Sequence, residues 1–459
     1  MQAARSPWVG FSAVAVGTLM ATLDSSIVNV ALPTLTRELG ASFAGVAWIV
    51  SAYLLVIAAA LLTAGRLGDL FGHRRVYVAG LLVFTIGSAL CGAAPSLATL
   101  VAARAVQALG ASATMAMGPA VVTAIFPPQR RGRALGATAS VVALGLTLGP
   151  PLGGVIVQAL SWRWICLWNL PVGVLGALWA ARVLPSWRPE RLQRLDRAGA
   201  VLLGVALAAG VAAVESAPTG AGRAAALAAV SAGASLALVR HLRRAAAPVL
   251  DLRLFASRVF AGGITGGSLS YAALFTSSFL TPFFLARVKG LGPRDLGAML
   301  TAVPLALSVC SPAAGALADR FGARVLCPLG AALLALGLGA LAFAGPGDGL
   351  PSIAARLALC GIGMGLYQPP NNNAVMGTLP RERLGSGGGM LATARVLGQV
   401  LGIAAGSAIF RLRGGAGGDA GAFLRGYRAA LLAGAALATA AGLVALARDA
   451  GRRREARQR

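Results

Sequence analysis

Fourteen apolar runs, each long enough to cross a bilayer, occupy this chain almost end to end. Lipid offers no water to backbone polar groups, so a spanning segment is a helix of roughly 20 mostly apolar residues. By that ruler the runs lie at about 9–33, 44–65, 76–94, 97–126, 134–158, 164–184, 198–215, 223–240, 259–286, 294–318, 325–345, 352–378, 386–410 and 427–447. Composition agrees. Hydrophobic residues make up 57% of the chain and charged residues 12%, against roughly 25% charged in an ordinary soluble domain. The formal net charge of +26 would suit nucleic acid in a soluble protein. Here the bases belong to loops at a membrane surface, and no nucleic-acid partner is expected.

An even number of spans puts both termini on one side. Basic clusters mark that side: Arg66, Arg74 and Arg75; Arg130, Arg131 and Arg133; Arg240, Arg243 and Arg244. The positive-inside rule then makes both ends cytoplasmic in a multi-pass plasma-membrane protein. The exception is the last outer loop, with Arg411, Arg413, Arg425 and Arg428. The first run is too long for a cleaved leader and contains Asp24, so it reads as a retained span. The cysteines (Cys91, Cys166, Cys310, Cys327 and Cys360) sit in or beside apolar runs with no CxxC pair. That pattern fits buried thiols without a disulfide framework.

The chain repeats itself. Gly65–Arg75 reads GRLGDLFGHRR and Gly315–Arg324 reads GALADRFGAR, so Gly65, Asp69 and Gly72 recur as Gly315, Asp319 and Gly322. Pro33 recurs as Pro282, Arg104 as Arg356, and Pro128-x-x-Arg131 as Pro380-x-x-Arg383. Gly145, Gly149 and Gly153 recur as Gly398, Gly402 and Gly406. Spans 1–6 therefore correspond to spans 9–14, while spans 7 and 8 have no counterpart. The expected division is a six-helix bundle at 1–190, two inserted spans with connectors at 191–250, and a second bundle with a basic tail at 251–459. Parallel repeats related by an axis along the membrane normal place a substrate site near mid-membrane, between halves that rock.

Asp24 lies about halfway across the first span. A carboxylate there costs at least ~2.5 kcal/mol unless paired, hydrated or protonated. Such a group exchanges a proton against a cationic ligand when burial and a nearby cation are balanced. A static ion pair with Arg104 is the plainer alternative. Arg104, Arg356 and Arg395 stand inside apolar runs and, being permanently charged, must meet acids, carbonyls or water. For Arg356 and Arg395, snorkelling to the cytoplasmic side competes with a functional role. Glu215, at the outer end of the seventh span, reads as a hydrated helix end. The second half has no deep acid; the region around Ala273 is apolar.

Gly145, Gly149 and Gly153 fall on one helix face, followed by Pro150, Pro151 and Gly154. Small residues at that spacing allow close helix approach, and the prolines permit a bend. Polar candidates for a cavity wall are Asn29, Trp48, Tyr53, Gln107, Tyr367, Gln368, Asn371, Asn372, Asn373 and Gln399, with core or lipid-facing packing as the alternative for each. Gly65, Asp69, Gly72 and Arg74, with Asp319 and Arg320, are candidates for a cytoplasmic gate. The only lysine, Lys289, precedes a glycine, so no P-loop is present. Both histidines, His73 and His241, lie in cytoplasmic turns, and no cluster has metal-ligand or nucleophile–base spacing. Neither enzymatic activity nor a cofactor or metal is expected.

These stretches resemble the major facilitator superfamily, in particular its fourteen-span drug:proton antiporter branch, over nearly the whole chain. Gly65–Arg75 is similar to the signature turn between spans 2 and 3. LDSSIVNVALP resembles the branch's first-span signature. Arg104-x-x-Gln107-x-x-Gly110 resembles the fourth-span motif associated with proton transfer. Gly145-x-x-x-Gly149-Pro150-Pro151-x-Gly153-Gly154 resembles the fifth-span antiporter motif, and WRWICLWNLPVG resembles the opening of span 6. The resemblance implies an all-α polytopic fold and alternating access. It makes Asp24 the proton-coupling carboxylate with Arg104 its partner, and has Asp69 lock the cytoplasmic side against the start of span 13, near Leu384. The expected function is proton-driven export of small amphipathic, cationic compounds by a monomer. A dedicated carrier of one metabolite or lipid, or a non-transporting sensor, are the alternatives.

Overall fold

The computed structural model describes residues 6–186, 195–245, 248, 250–379, 384–417 and 419–457, with backbone alone at 128, 384–386 and 449–457. Fourteen of its helices or helix pairs are long and apolar enough to cross a membrane. The first six spans are α1 (Pro7–Glu38), α2 (Phe43–Phe71), α3 (His73–Ala93), α4 (Leu97–Ile125), α5 (Pro128–Ala159) and a broken helix, α6 (Trp164–Leu167) plus α7 (Asn169–Val183). The two extra spans are α8 (Arg197–Ser216) and α9 (Ala221–Arg244). The second half comprises α10 (Arg258–Arg287), the pair α11 (Pro293–Leu300) and α12 (Ala302–Phe321), α13 (Ala323–Ala342), α14 (Leu350–Met376), α15 (Leu384–Leu412) and α16 (Ala420–Arg457). The anticipated boundary at 190/191 falls within 187–194, outside the described residues.

The repeated turns have one shape. Gly72 ends α2 at φ 91° and Gly322 ends α12 at φ 72°, and each leads directly into the next helix. Glycine takes that backbone region without a Cβ penalty, which is why both copies of the turn carry it. Other helix starts are capped by polar side chains. Ser42 accepts from the Gly45 N–H, Ser257 from the Phe260 N–H, and Ser96 with Thr99 closes a capping box on α4.

The two halves also share a packing device. A Cβ on Gly149 would lie 1.8 Å from the Ser26 hydroxyl, and one on Gly145 2.0 Å from that of Thr22, so α5 seats directly on α1. Gly398 and Gly402 seat α15 on α10, where a Cβ would lie 2.2 Å from the carbonyls of Ser268 and Ala272. Gly154 does something different. It faces the other half, and its Cβ would stand 2.4 Å from the Pro293 carbonyl at the start of α11.

Contacts between halves are tight at the face away from the termini, called here the far face. Besides Gly154 against Pro293, the Arg294 N–H donates to Gln158 Oε1 at 3.2 Å. Phe43 of α2 packs among Phe279, Phe283 and Phe410, with ring centroids 5.3, 4.8 and 4.5 Å away. Nearer the middle, Thr147 and Ser308 approach to 3.4 Å. Toward the terminal face, a Cβ on Gly132, Gly136 or Gly315 would meet nothing within 4 Å. There α2 and α15 stay together, with Gly389 against Leu62.

The extra helices form a pair that leans on the seam between halves. α8 packs against both α2 and α15, and α9 packs chiefly on α8. Ser231 of α9 donates to the Ala206 carbonyl at 2.8 Å. Glu215 is not a hydrated helix end. It is 5% exposed, and its carboxylate lies 2.7 Å from the guanidinium of Arg411 in α15, while Ser407 donates to it at 3.3 Å. Burial against α15 removes the water that the sequence reading assumed.

Candidate functional site

Five spans of the first half meet around Asp24. The carboxylate, fully buried, faces the interior of its own bundle. Arg104 Nη1 donates to its Oδ2 at 2.7 Å. Gln107 Nε2 and Asn169 Nδ2 each donate to its Oδ1 at 2.9 Å. Arg104 and Gln107 come from α4, three residues apart and so on one helix face. Asn169 comes from the first residue of α7, just past the break in span 6. Ser88 of α3 accepts from Gln107 at 2.7 Å, and Gln107 Oε1 in turn accepts from Arg104. The Arg104 guanidinium lies 4.0 Å from the ring centroid of Tyr53 on α2. Every one of these side chains is buried.

The electrostatics follow from this geometry. An ionised Asp24 is neutralised by Arg104 and held by three donors, the arrangement that makes a buried charge tolerable. Adding a proton to Asp24 would leave Arg104 as an uncompensated cation in a dry interior. Any loss of that negative charge would require Arg104 to find another acceptor or water. The Arg104 Nε and the Asn169 Oδ1 are buried with no hydrogen-bond partner, so the network has spare donor and acceptor capacity for such a change. Asn169 and Ser88 are the members that sequence reasoning missed. Asn169 stood in the WRWICLWNLPVG stretch, and nothing in its spacing linked it to Asp24.

The candidate wall residues divide. Tyr53 and Gln107 belong to the Asp24 network. Tyr367 is fully buried inside the second bundle, packed with Cys327, Ala331, Ala441 and Ala445. Asn371 is buried too: its Nδ2 donates to the Gly263 carbonyl at 3.0 Å, and its Oδ1 accepts from Arg448 of α16. Arg448, one residue past the apolar run that ends near 447, is 3% exposed. Tyr367 and Asn371 therefore serve the bundle interior, because their face of α14 turns toward α10, α13 and α16. Asn29, Trp48, Gln368 and Gln399 are partly exposed, and Asn372 and Asn373 are exposed. Gln368 donates to Ser270 at 3.2 Å.

The deep arginines also divide. Arg356 does not snorkel toward the terminal side. It reaches the far-face loop, where its Nη2 lies 3.1 Å from Asp348 Oδ1, and its Nη1 donates to the Ala340 carbonyl at 3.2 Å. The backbone N–H of Gly345 and the Arg356 side chain hold the Asp348 carboxyl below its ordinary value. Arg395 of α15, partly exposed, neighbours the Tyr271 hydroxyl of α10. In the outer loop that carried an excess of arginines, Arg411 meets Glu215, Arg425 lies 3.8 Å from Asp419, and Arg428 lies over the Phe343 ring.

At the terminal face, Asp69 is partly exposed with its Oδ1 3.5 Å from His73 Nε2, and Arg74 donates to the Ala181 carbonyl. Asp319 and Arg320 are exposed. The anticipated contact of Asp69 is with the start of α15 near Leu384, and the residues 380–383 that lead into that start lie outside the described residues. No group of three or more metal-ligating side chains occurs among the described residues.

Two six-span bundles with a neutralised charge pair buried in one of them define a polytopic transporter. The chain belongs to the Major Facilitator Superfamily, whose family model matches residues 14–403 and 263–459. It is 33% identical over 413 residues to the riboflavin transporter RibZ of Clostridioides difficile, covering 88% of this chain and 89% of that one. It is 36% identical over 405 residues to the multidrug resistance protein Stp of Mycobacterium tuberculosis, covering 87% and 75% respectively. The solved structure of a bacterial homologue of the human lysosomal transporter Spinster superposes with a TM-score of 0.68 at 15% identity, covering 96% of each chain, which shows the shared fold.

Proposed function

We propose that this transporter exports small amphipathic compounds by alternating access, driven by protons that enter through Asp24. The single observation that carries this reading is a fully buried carboxylate with three donors, one of them its arginine counter-ion, in a transporter fold. In the proposed cycle, protonation of Asp24 frees Arg104, and Arg104 shifts against Tyr53 on α2, the helix that runs along the seam with α15. Deprotonation restores the pair and the starting form. Both termini are assigned to the cytoplasm, so the tight far face is the outer one. The contacts at Phe43 and Gly154 then describe a form closed to the outside. The division into 1–190, 191–250 and 251–459 is part of the same proposal, and it is supported by the packing of α8 and α9 as a separate pair.

The preference for cations expected from sequence loses its ground. That preference assumed direct competition of proton and cargo at Asp24, but both oxygens of Asp24 are occupied within its own bundle. Coupling in this reading is conformational. The test is dye or drug movement in proteoliposomes under an imposed pH gradient. Extrusion that collapses when the gradient is dissipated supports the proposal, and gradient-independent accumulation contradicts it. A dedicated carrier of one metabolite is the second reading, favoured by the single substrate named for RibZ. A substrate panel separates the two.

A further inference from the structure

Arginines buried in a bilayer must be compensated, and most of those in these spans are. Arg104 meets Asp24, Arg411 meets Glu215, and Arg356 reaches Asp348. Arg395 differs. Among the described residues no carboxylate pairs with it, and its nearest polar neighbour across the α10 contact is the neutral hydroxyl of Tyr271. It sits in the interior of α15, eleven residues from the helix start and seventeen from its end, and its side chain is partly exposed.

The face it occupies is fixed by neighbours. Gln399 stands one turn further along α15, about 40° round, and Phe410 a further three turns, about 60° round from Arg395. Phe410 packs on Phe43 of the other half, its ring centroid 4.5 Å away. The Gly398 and Gly402 stripe of α15 is turned onto α10, and the exposed Leu401 marks its lipid side. Arg395 stands about 20° from Gly402, at the edge of the face turned to α10, and Gln399 about 40° further toward Phe410, so the two border the space between α10 and the other half. Tyr271 heads an i, i+4, i+8 stripe on α10 with Phe275 and Phe279, and Phe279 also touches Phe43. The two stripes converge on the same gap.

Depth can be read from the antiparallel pairing of α2 with α15. Gly389 lies beside Leu62 and Phe410 beside Phe43. One-for-one register then sets Arg395 level with Ile57 and Gln399 level with Tyr53, whose ring carries Arg104. The uncompensated cation thus lies at the depth of the Asp24 network, near mid-membrane, where this fold holds its cargo.

We infer that Arg395, with the Tyr271 hydroxyl and the Gln399 amide, forms a subsite for an anionic or acidic oxygen of the substrate, so that cargo carries a carboxylate or comparable acid on an aromatic or apolar body. This inference rests on the transport reading above and names its substrate class. The guanidinium supplies charge and paired N–H donors, and the stripe from Phe275 to Phe279 supplies apolar surface for the body.

The test uses two xanthene dyes of opposite charge, carboxyfluorescein and tetramethylrosamine, binding to the purified full chain by fluorescence polarisation. The parent protein is expected to favour carboxyfluorescein. Arg395→Gln is expected to weaken carboxyfluorescein roughly tenfold to a hundredfold, the worth of a charge-assisted hydrogen bond, and to leave tetramethylrosamine unchanged or tighter. Arg395→Lys, which keeps the charge, should retain much of the preference, and an unchanged melting temperature shows that each variant is folded. Equal affinity for both dyes, no carboxyfluorescein binding, or an equal loss of both in folded Arg395→Gln would overturn the inference. Asp24→Asn separates this result from the transport reading. It should keep the dye preference while losing gradient-driven movement; a preference that survives in a parent protein without gradient-driven movement would sink the transport reading alone.

Discussion

The carboxylate of Glu215 on α8 lies 2.7 Å from the guanidinium of Arg411 on α15, with side chains 4% and 8% exposed. The pair fastens the inserted helices to the second half at the far face, beside the seam with α2. Breaking a buried pair on one side costs more than removing it, because the survivor is left charged and dry. Arg411→Met alone is expected to cost about 3–5 kcal/mol. The double variant Glu215→Gln with Arg411→Met should cost less than the single one. Thermal unfolding in detergent checks the order, and a double variant less stable than Arg411→Met would refute it.

The seat of α5 on α1 leaves no room at Gly149. An added methyl would stand 1.8 Å from the Ser26 hydroxyl, which itself donates to the Gly145 carbonyl at 3.2 Å. Gly149→Ala should therefore destabilise by about 1–3 kcal/mol, the usual cost of overpacking. Gly136→Ala, at a position with open space, is expected to be neutral. Folded yield and melting temperature distinguish the two.

The far-face loop should be sensitive to acid through Asp348. The Gly345 N–H and Arg356 favour the charged carboxylate, so its folded value lies below the ordinary 3.8. A lowered value stabilises the fold above the ordinary value, and that contribution is lost as pH falls through the folded one. The stability gap between the parent and Asp348→Asn is expected to stay constant from neutral pH to about 5 and to close below 3.8. Melting curves across that range measure it; a gap that widens with acid would contradict the assignment.

Much of this architecture was legible in the sequence, because bilayer thickness fixes span length and a duplicated turn fixes the pairing of spans. The Asp24–Arg104 contact was legible as well, since two opposite charges in oil seek each other. Orientation within the bundles was not. Lipid is as apolar as a helix interior, so periodicity in a span does not say which face turns inward. Hence Tyr367 and Asn371 looked like cavity residues and are core, and Arg448, just past the last apolar run, is buried. Glu215 and Arg411 are far apart in sequence and come from an inserted helix and a repeat helix. The internal repeat carried no information about their contact.

Asp69 and its turn lie where α2 and α15 run together at the terminal face. A gate residue that acts on conformational exchange changes transport without changing cargo affinity. Asp69→Asn is expected to slow dye movement in proteoliposomes while dye binding to the purified protein stays within experimental error. Equal loss of both would show a folding defect instead.

The account stands or falls on proton exchange at Asp24. The direct measurement is proton movement in proteoliposomes, read with an entrapped pH dye, when a gradient of transported dye is imposed across the membrane. The parent should move protons opposite to the dye. Asp24→Asn should still exchange dye for dye across the membrane, with proton movement at the level of protein-free liposomes. Undiminished proton movement in a folded Asp24→Asn protein would contradict the central claim.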